Sequence, residues 1–296
     1  MEFQLTNCRL CPRRCGTDRT KSNGVCGGGN GIKAARAALH FGEEPCISGN
    51  CGSGTVFFSG CQLHCCFCQN DPISRHNEGK IITPQRLAEI FLELQQQNAH
   101  NINLVTADHL LPWILEALDL AKPQLHIPVV YNCSGYELPE AIAMLDGYVD
   151  IFLPDFKFFD TETARNYANA PDYPAVAERA IAQMLAITGK PVFEGNILKR
   201  GCIIRHLVLP GHRHESIALL HHLKNTFGTD NCLLSLMSQY TPMRQIPQHP
   251  QLNRRITKME YNCVLKTAQD LGFQGYLQDK SSANSIYTPE FDNTGI

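Results

Sequence analysis

The sequence is short of charge. Asp, Glu, Lys and Arg make up 18% of its 296 residues, and the net charge is −2. It holds no basic tract, so a nucleic-acid partner is not expected. No apolar run reaches the roughly 18 residues that a spanning helix needs, so no membrane partner is expected either. The first residues, Met1-Glu2-Phe3-Gln4-Leu5-Thr6, lack the build of a secretory signal. There is no internal repeat and no low-complexity segment. What the sequence has in quantity is cysteine, fourteen in all. Without a secretion signal these point to the reducing cytoplasm, where thiols serve as metal ligands or buried small side chains rather than staples. The hydrophobic share of 43% suffices for a sizeable core, in one large α/β barrel or two small domains.

Four of the cysteines fall in one short run, Gly60-Cys61-Gln62-Leu63-His64-Cys65-Cys66-Phe67-Cys68. Cys61, Cys65 and Cys68 form a C-x3-C-x2-C set with an aromatic before the last cysteine. A tight loop of that spacing turns three thiolates toward one centre. Three thiolates fill three irons of a 4Fe–4S cubane and leave the fourth open, since full protein ligation takes four. An open iron can bind a substrate, as an open position does in catalytic zinc sites. A zinc knuckle, a disulfide cluster and buried thiols are the competing readings. Zinc would normally show two paired C-x2-C or C/H-x-x-H arms. Cys66 has no assigned role.

Downstream the pattern becomes regular. Thr55-Val56-Phe57-Phe58 is a short apolar β-type run leading into the cysteine loop. Pro84 opens a helix with Leu87, Ile90, Phe91 and Leu94 on one face. Strands are expected over Ile102–Val105, Ile127–Tyr131, Val149–Leu153, Cys202–Val208, Cys232–Met237 and Gly275–Leu277. Helices are expected over Leu110–Ala121, Pro139–Leu145, Thr161–Asn169, Tyr173–Ile187, Glu215–Phe227 and Thr257–Leu271. Strands alternating with helices imply right-handed βαβ units and a parallel sheet. The fold class is therefore α/β, a partial barrel of about six βα units rather than a full eightfold one. Ligands of such sheets sit at the C-terminal strand ends, so the loops after the strands are the places to search.

The cysteine loop resembles that of the radical S-adenosylmethionine (SAM) superfamily. That resemblance implies a 4Fe–4S cluster on Cys61, Cys65 and Cys68, with SAM chelated at the open iron. An electron from the cluster would cleave SAM to methionine and a 5′-deoxyadenosyl radical, the cofactor supplying the chemistry and the protein aiming it. From about residue 49 to residue 276 the chain resembles the pyruvate formate-lyase activating enzyme branch. After the second strand, where the superfamily carries Gly-Gly-Glu, stands Val105-Thr106-Ala107-Asp108-His109. The carbonyls of Thr106 and Ala107 are then expected to meet the SAM amino group. Asp108 either replaces the acidic residue or caps a helix. After the third strand, Tyr131-Asn132-Cys133-Ser134-Gly135-Tyr136 is similar to the Thr-Asn-Gly segment, with Asn132 and Ser134 reaching the ribose hydroxyls and Gly135 letting the backbone turn away.

After the fourth strand, Leu153-Pro154-Asp155-Phe156-Lys157 resembles the Asp-Leu-Lys signature. Alternation places Asp155 and Lys157 on one face, where they are expected to point inward toward the cofactor. After the fifth strand, Arg205 precedes a Val-Leu-Pro-Gly turn. Its fork suits a carboxylate, and the methionine carboxylate of SAM is the expected partner. Ser238-Gln239-Tyr240 follows the sixth strand on the substrate side.

Residues 1–45 read as a separate cysteine-rich extension before a core of 46–296. Cys8, Cys11, Cys15 and Cys26 suit zinc or a second iron–sulfur cluster equally well by count. Gly24 and Gly27 allow the turn that returns Cys26. The segment has little to bury, so a metal is expected to order it. Such an arm also precedes the barrel in an uncharacterised subgroup of activating-enzyme-like proteins. The branch resemblance implies a flavodoxin- or ferredoxin-type reductant and a glycyl radical enzyme as protein substrate. A small metabolite or another protein residue as substrate, and a non-catalytic iron–sulfur or zinc protein, are the alternatives. The remaining cysteines are expected to be buried thiols.

Overall fold

The computed structural model describes residues 4–277 and 289–296. In chain order the elements are β1 (Ile32–His40), α1 (Pro45–Ser48), β2 (Ser53–Phe58), α2 (Asp71–Ser74), β3 (Lys80–Ile82), α3 (Pro84–Gln96) and β4 (Ile102–Val105). There follow α4 (Leu111–Ala121), β5 (Val129–Cys133), α5 (Pro139–Ala143), β6 (Ile151–Pro154), α6 (Thr161–Ala168) and α7 (Tyr173–Thr188). The chain continues with β7 (Val192–Glu194), β8 (Ile197–Leu207), α8 (Arg213–Phe227), β9 (Leu233–Met237), α9 (Lys258–Leu271) and β10 (Gly275–Leu277).

Among the described residues the strands form one ten-stranded sheet in the order β10-β9-β8-β6-β5-β4-β2-β1-β3, with β7 paired to β8. From β2 to β10 every neighbouring pair is parallel. The sheet is open, with β3 and β10 at its two ends. This is the expected α/β arrangement with a cysteine-rich N-terminus. The register lines up Val56 with Leu104, Leu104 with Tyr131, and Tyr131 with Phe152. Those four pack toward the helices. Their alternates Val130, Ile151, Leu153, Ile203 and Leu233 form a second cluster, which α1 closes with Cys46 and Ile47. Further along the same inward face come Asn132, Asp155 and Arg205, around a cavity at the C-terminal strand ends.

Local chemistry sets the element boundaries. The Thr83 hydroxyl accepts the Arg86 N–H at 3.1 Å, Pro84 takes the first helical position, and Leu87, Ile90, Phe91 and Leu94 are buried on one face of α3. Strand β5 starts at Val129 and not at Ile127, because Pro128 has no N–H for the ladder. Strand β8 starts earlier than expected, because β7 folds back on it as a hairpin.

Three strands escaped the periodicity, the nine-residue β1 and the three-residue β3 and β7, and β1 matters most. It lies inside the segment expected as a separate extension, yet it pairs antiparallel with β2 along its length. Residues N-terminal to β1 also share the main core through Cys8 and Leu10. Arg19 is 2% exposed, donates to the carbonyls of Gly29 at 3.0 Å and His109 at 2.7 Å, and stacks over Trp113. Arg13 donates to the carbonyls of Gln62 and Ala168. The arm is thus docked by arginines and a leucine, and a metal is not its sole source of order.

Candidate active site

The cysteine loop leaves β2 through Gly60, which has φ +96°. A Cβ there would stand 2.5 Å from the Cys26 carbonyl and 2.7 Å from His109 Nε2. That carbonyl accepts the Cys61 N–H at 2.9 Å. His64 then takes a left-handed turn, φ +52°, and its Nε2 lies 2.8 Å from the Val25 carbonyl. The loop therefore rests directly on the N-terminal arm. Cys61, Cys65 and Cys68 all line one cavity of about 220 Å³. The Cys61 sulfur accepts the Leu63 N–H at 3.4 Å, and the Cys68 sulfur accepts the Ser74 hydroxyl at 3.3 Å. Burial, with Cys68 nearby, pushes the Cys61 thiol up to about 12. Burial likewise pushes Cys65 up, against the pull of Lys157. Three thiolates around one cavity repel one another unless positive charge lies between them, which an iron centre supplies. The donor set fits a cluster held by three thiolates.

The same cavity is lined by Thr106, Asn132, Ser134, Asp155, Lys157 and Arg205. Asp155 and Lys157 pair with each other. Burial opposes the Lys157 charge, but Asp155 and Cys65 outweigh it and hold the ammonium protonated. Gly135 turns the chain at φ +77°, where a Cβ would meet the Asp155 carbonyl at 2.1 Å. The Ser134 hydroxyl donates to Glu137 Oε1 at 3.1 Å rather than into open space. Ala107 is fully buried, and its carbonyl accepts the Leu110 N–H at 2.9 Å. Thr106 has φ +58°, a conformation that costs a β-branched residue dearly. It occupies the position where the related motif carries glycine. Asp108 caps no helix. It opens a short 3-10 turn over Asp108–Leu110 and is 5% exposed.

Arg205 lies at the cavity wall, but its fork is already filled. Its Nη2 donates to Glu43 Oε2 at 2.8 Å, its Nε to Glu44 Oε1 at 3.0 Å, and its Nη1 to Asn132 Oδ1 at 3.3 Å. Glu43 also accepts from Asn103 at 2.9 Å and from Asn132 at 3.2 Å. The free fork expected for a methionine carboxylate is therefore closed by two residues of the β1–α1 connection. Sequence reading missed Glu43 and Glu44. The only local signal is an acidic pair before Pro45, which resembles any helix start.

The structure also gathers the four arm cysteines. Cys8, Cys15 and Cys26 all act electrostatically on Cys11, whose thiol burial pushes up to about 12. A Cβ on Gly24 would lie 3.5 Å from the Cys26 sulfur and 3.6 Å from the Cys15 sulfur. The Thr17 hydroxyl and the Gly28 N–H donate to the sulfurs of Cys15 and Cys26. Of the other cysteines, Cys46, Cys133, Cys202 and Cys232 are buried and Cys51 and Cys263 half-buried. Gln239 and Tyr240 line the cavity. His212 bonds Tyr167 at 2.8 Å and Glu215 at 3.0 Å.

Two predictions follow from this geometry. Arg205→Ala strands two buried carboxylates and should cost about 3–5 kcal/mol in denaturant unfolding, whereas replacing Glu43, Glu44 and Arg205 together with Gln, Gln and Met should recover most of the loss. Thr106→Gly should raise stability by about 1–3 kcal/mol, because glycine adopts the positive φ freely. A lower melting temperature for Thr106→Gly would show that its side-chain contacts outweigh the strain.

Comparison with known proteins places the chain in a family. Residues 55–223 match the family model of the radical SAM superfamily. The chain is 32% identical over 276 residues to the uncharacterized protein MJ0674 of Methanocaldococcus jannaschii, covering 89% of this chain and 74% of that one. Among solved structures, HydG, a maturase of the [FeFe]-hydrogenase, aligns at TM-score 0.50 and 13% identity over 77% of this chain. Methylornithine synthase (PylB) aligns at TM-score 0.46 and 15% identity over 73%. The chain spans 52% and 63% of those two proteins, and the HydG likeness speaks to the fold alone. The family match covers more than half of the chain and begins at the strand that feeds the cysteine loop, so the chain belongs to the radical SAM superfamily.

Proposed function

We propose that this protein removes a hydrogen atom from a peptide segment of a partner protein, in the manner of the glycyl-radical activating enzymes. Cys61, Cys65 and Cys68 would hold the 4Fe–4S cluster. When bound, the cluster supplies the electron that cleaves SAM and generates the 5′-deoxyadenosyl radical. The observation that carries the reading is the adjacency of two cavities that share part of their lining. Phe67, Cys68, Gln69 and Tyr240 line both the cavity of about 220 Å³ at the strand ends and a neighbouring one of about 530 Å³. The second is bordered by Met243, Arg244 and Phe291, and Arg244 donates to the Cys66 carbonyl at 3.1 Å. Two adjacent, partly apolar cavities beside the thiols suit an extended chain better than a compact metabolite.

The residues divide the work by chemistry. Thr106 offers backbone carbonyl oxygen to an amino group, and Asn132 offers a short polar contact to a ribose, while the Ser134 hydroxyl is turned to Glu137. Lys157, charged and paired to Asp155, sits beside Cys65 and offsets thiolate charge. Arg205, locked by Glu43 and Glu44, positions Asn132. A small metabolite as substrate remains the second reading. It is favoured by the confined wall around Glu43 and Arg205, whose side chains are 6% and 13% exposed.

Under anaerobic reconstitution with dithionite and SAM, 5′-deoxyadenosine should form. Alanine at Cys61, Cys65 or Cys68 should abolish it, and full turnover by any of these variants would refute the ligand assignment. Incubation with a candidate glycyl radical enzyme should give the doublet of a glycyl radical in the electron spin resonance spectrum. Turnover of SAM without that signal across such partners would favour the metabolite.

The arm is proposed to hold a second centre on Cys8, Cys11, Cys15 and Cys26, with iron preferred over zinc because its cluster would stand beside the first and relay electrons. A variant lacking Cys61, Cys65 and Cys68 should retain iron and sulfide. Zinc without sulfide would make the arm structural, and a metal-free variant would leave it a group of packed thiols.

A further inference from the structure

We propose that Asp108, Cys133 and Glu137 hold one divalent transition-metal ion, zinc or ferrous iron, that clamps the loops after β4 and β5 to each other. One ligand atom from each of the three lies within 4.8 Å of the other two. Bonds of about 2.0–2.3 Å from oxygen and sulfur to such an ion place donors at that order of separation. The three come from different places, the 3-10 turn after β4, the last residue of β5 and the approach to α5. None is more than 5% exposed.

The polar inventory around them is unbalanced. Both oxygens of Asp108, Oε2 of Glu137 and Oε1 of the fully buried Gln62 make no hydrogen bond. Four buried acceptors thus stand close together, with the Tyr131 hydroxyl acting on Asp108. A proton shared between the two carboxyls would satisfy one oxygen of each and leave Gln62 Oε1 unmet. A trapped water brings two hydrogens and leaves two acceptors unmet. A cation with an open fourth position satisfies all of them, with Gln62 Oε1 the nearest unused donor atom. Mixed oxygen and thiolate donors suit zinc or ferrous iron better than magnesium or calcium. Glu137 is in turn oriented by the Ser134 hydroxyl at 3.1 Å, the kind of outer contact that fixes a ligating carboxylate. Such an ion would not touch substrate. It would position Thr106 and Ala107 against Asn132 and Ser134.

The test counts metal and acid-labile sulfide in the anaerobically purified, cluster-loaded protein and in Asp108→Asn and Glu137→Gln. Comparing parent with variant cancels metal held elsewhere. The parent should carry one more zinc or iron per chain than either variant, at equal sulfide. Zinc and iron determinations tell the two ions apart. Equal metal-to-sulfide ratios in all three proteins would overturn the proposal in favour of a protonated carboxyl pair. Should the variants fail to fold, crystals of the parent grown with zinc and measured at the zinc and iron absorption edges decide instead. An anomalous peak between the three side chains is expected, and a featureless map there overturns the assignment.

Discussion

The Cys26 carbonyl lies where a side chain on residue 60 would be, and it accepts the N–H of Cys61. This contact joins the two cysteine groups by backbone alone. Glycine at position 60 lets the chain turn there with positive φ, and the loop it opens brings Cys61, Cys65 and Cys68 to the cavity. A covered N–H at Cys61 also leaves its sulfur free to accept from Leu63. The arm is therefore part of the floor of the cysteine loop. It does not hang from the barrel, because Arg19 and Arg13 tie it to His109, Gln62 and Ala168. Burying a guanidinium costs several kcal/mol unless its donors are met, so these arginines hold the arm in one place.

The strand periodicity sets the other half of the arrangement. With a side-chain period of two, Ile203 and Arg205 of β8 face inward while Ile204 and His206 face the helices. One slip in register would exchange Arg205 for His206 and empty the wall of the cavity. The buried ion pair of Arg205 with Glu43 and Glu44 resists such a slip. It also brings the β1–α1 connection under the parallel strands, closing the end of the barrel that α1 plugs.

The elements with strong periodicity were legible in the sequence. Strand β4 and helices α3 and α4 follow directly from apolar spacing, and Cys61, Cys65 and Cys68 from their separation. The fold class follows from those elements, and the cysteine spacing carries the resemblance to the family that the family model matches over residues 55–223. Strands β1, β3 and β7 were not legible. Strand β1 reads Ile-Lys-Ala-Ala-Arg-Ala-Ala-Leu-His, an alanine-rich run without β-branched alternation, and only its pairing with β2 makes it a strand. Strands β3 and β7 have three residues each, too few to show a period. Glu43, Glu44 and Glu137 were illegible for a different reason. Acidic residues normally sit in solvent, and only the folded chain shows these three turned inward against their ordinary preference.

That inward turn gives the cavity its electrostatic character. Glu43, Glu44 and Asp155 face Arg205 and Lys157, three carboxylates against two cations. The wall thus carries an excess negative charge before any thiolate is counted. SAM, which the family implies as substrate, is a sulfonium with an ammonium group, and such a wall attracts its positive centres. The same wall raises the cost of an anionic substrate in the adjoining trough. It also raises the cost of adding an electron nearby, since added negative charge is repelled by fixed carboxylates at short range. Lys157 is the compensating element. It is buried, held protonated by Asp155, and closest in effect to Cys65, so it offsets charge at the thiolates without leaving the strand end.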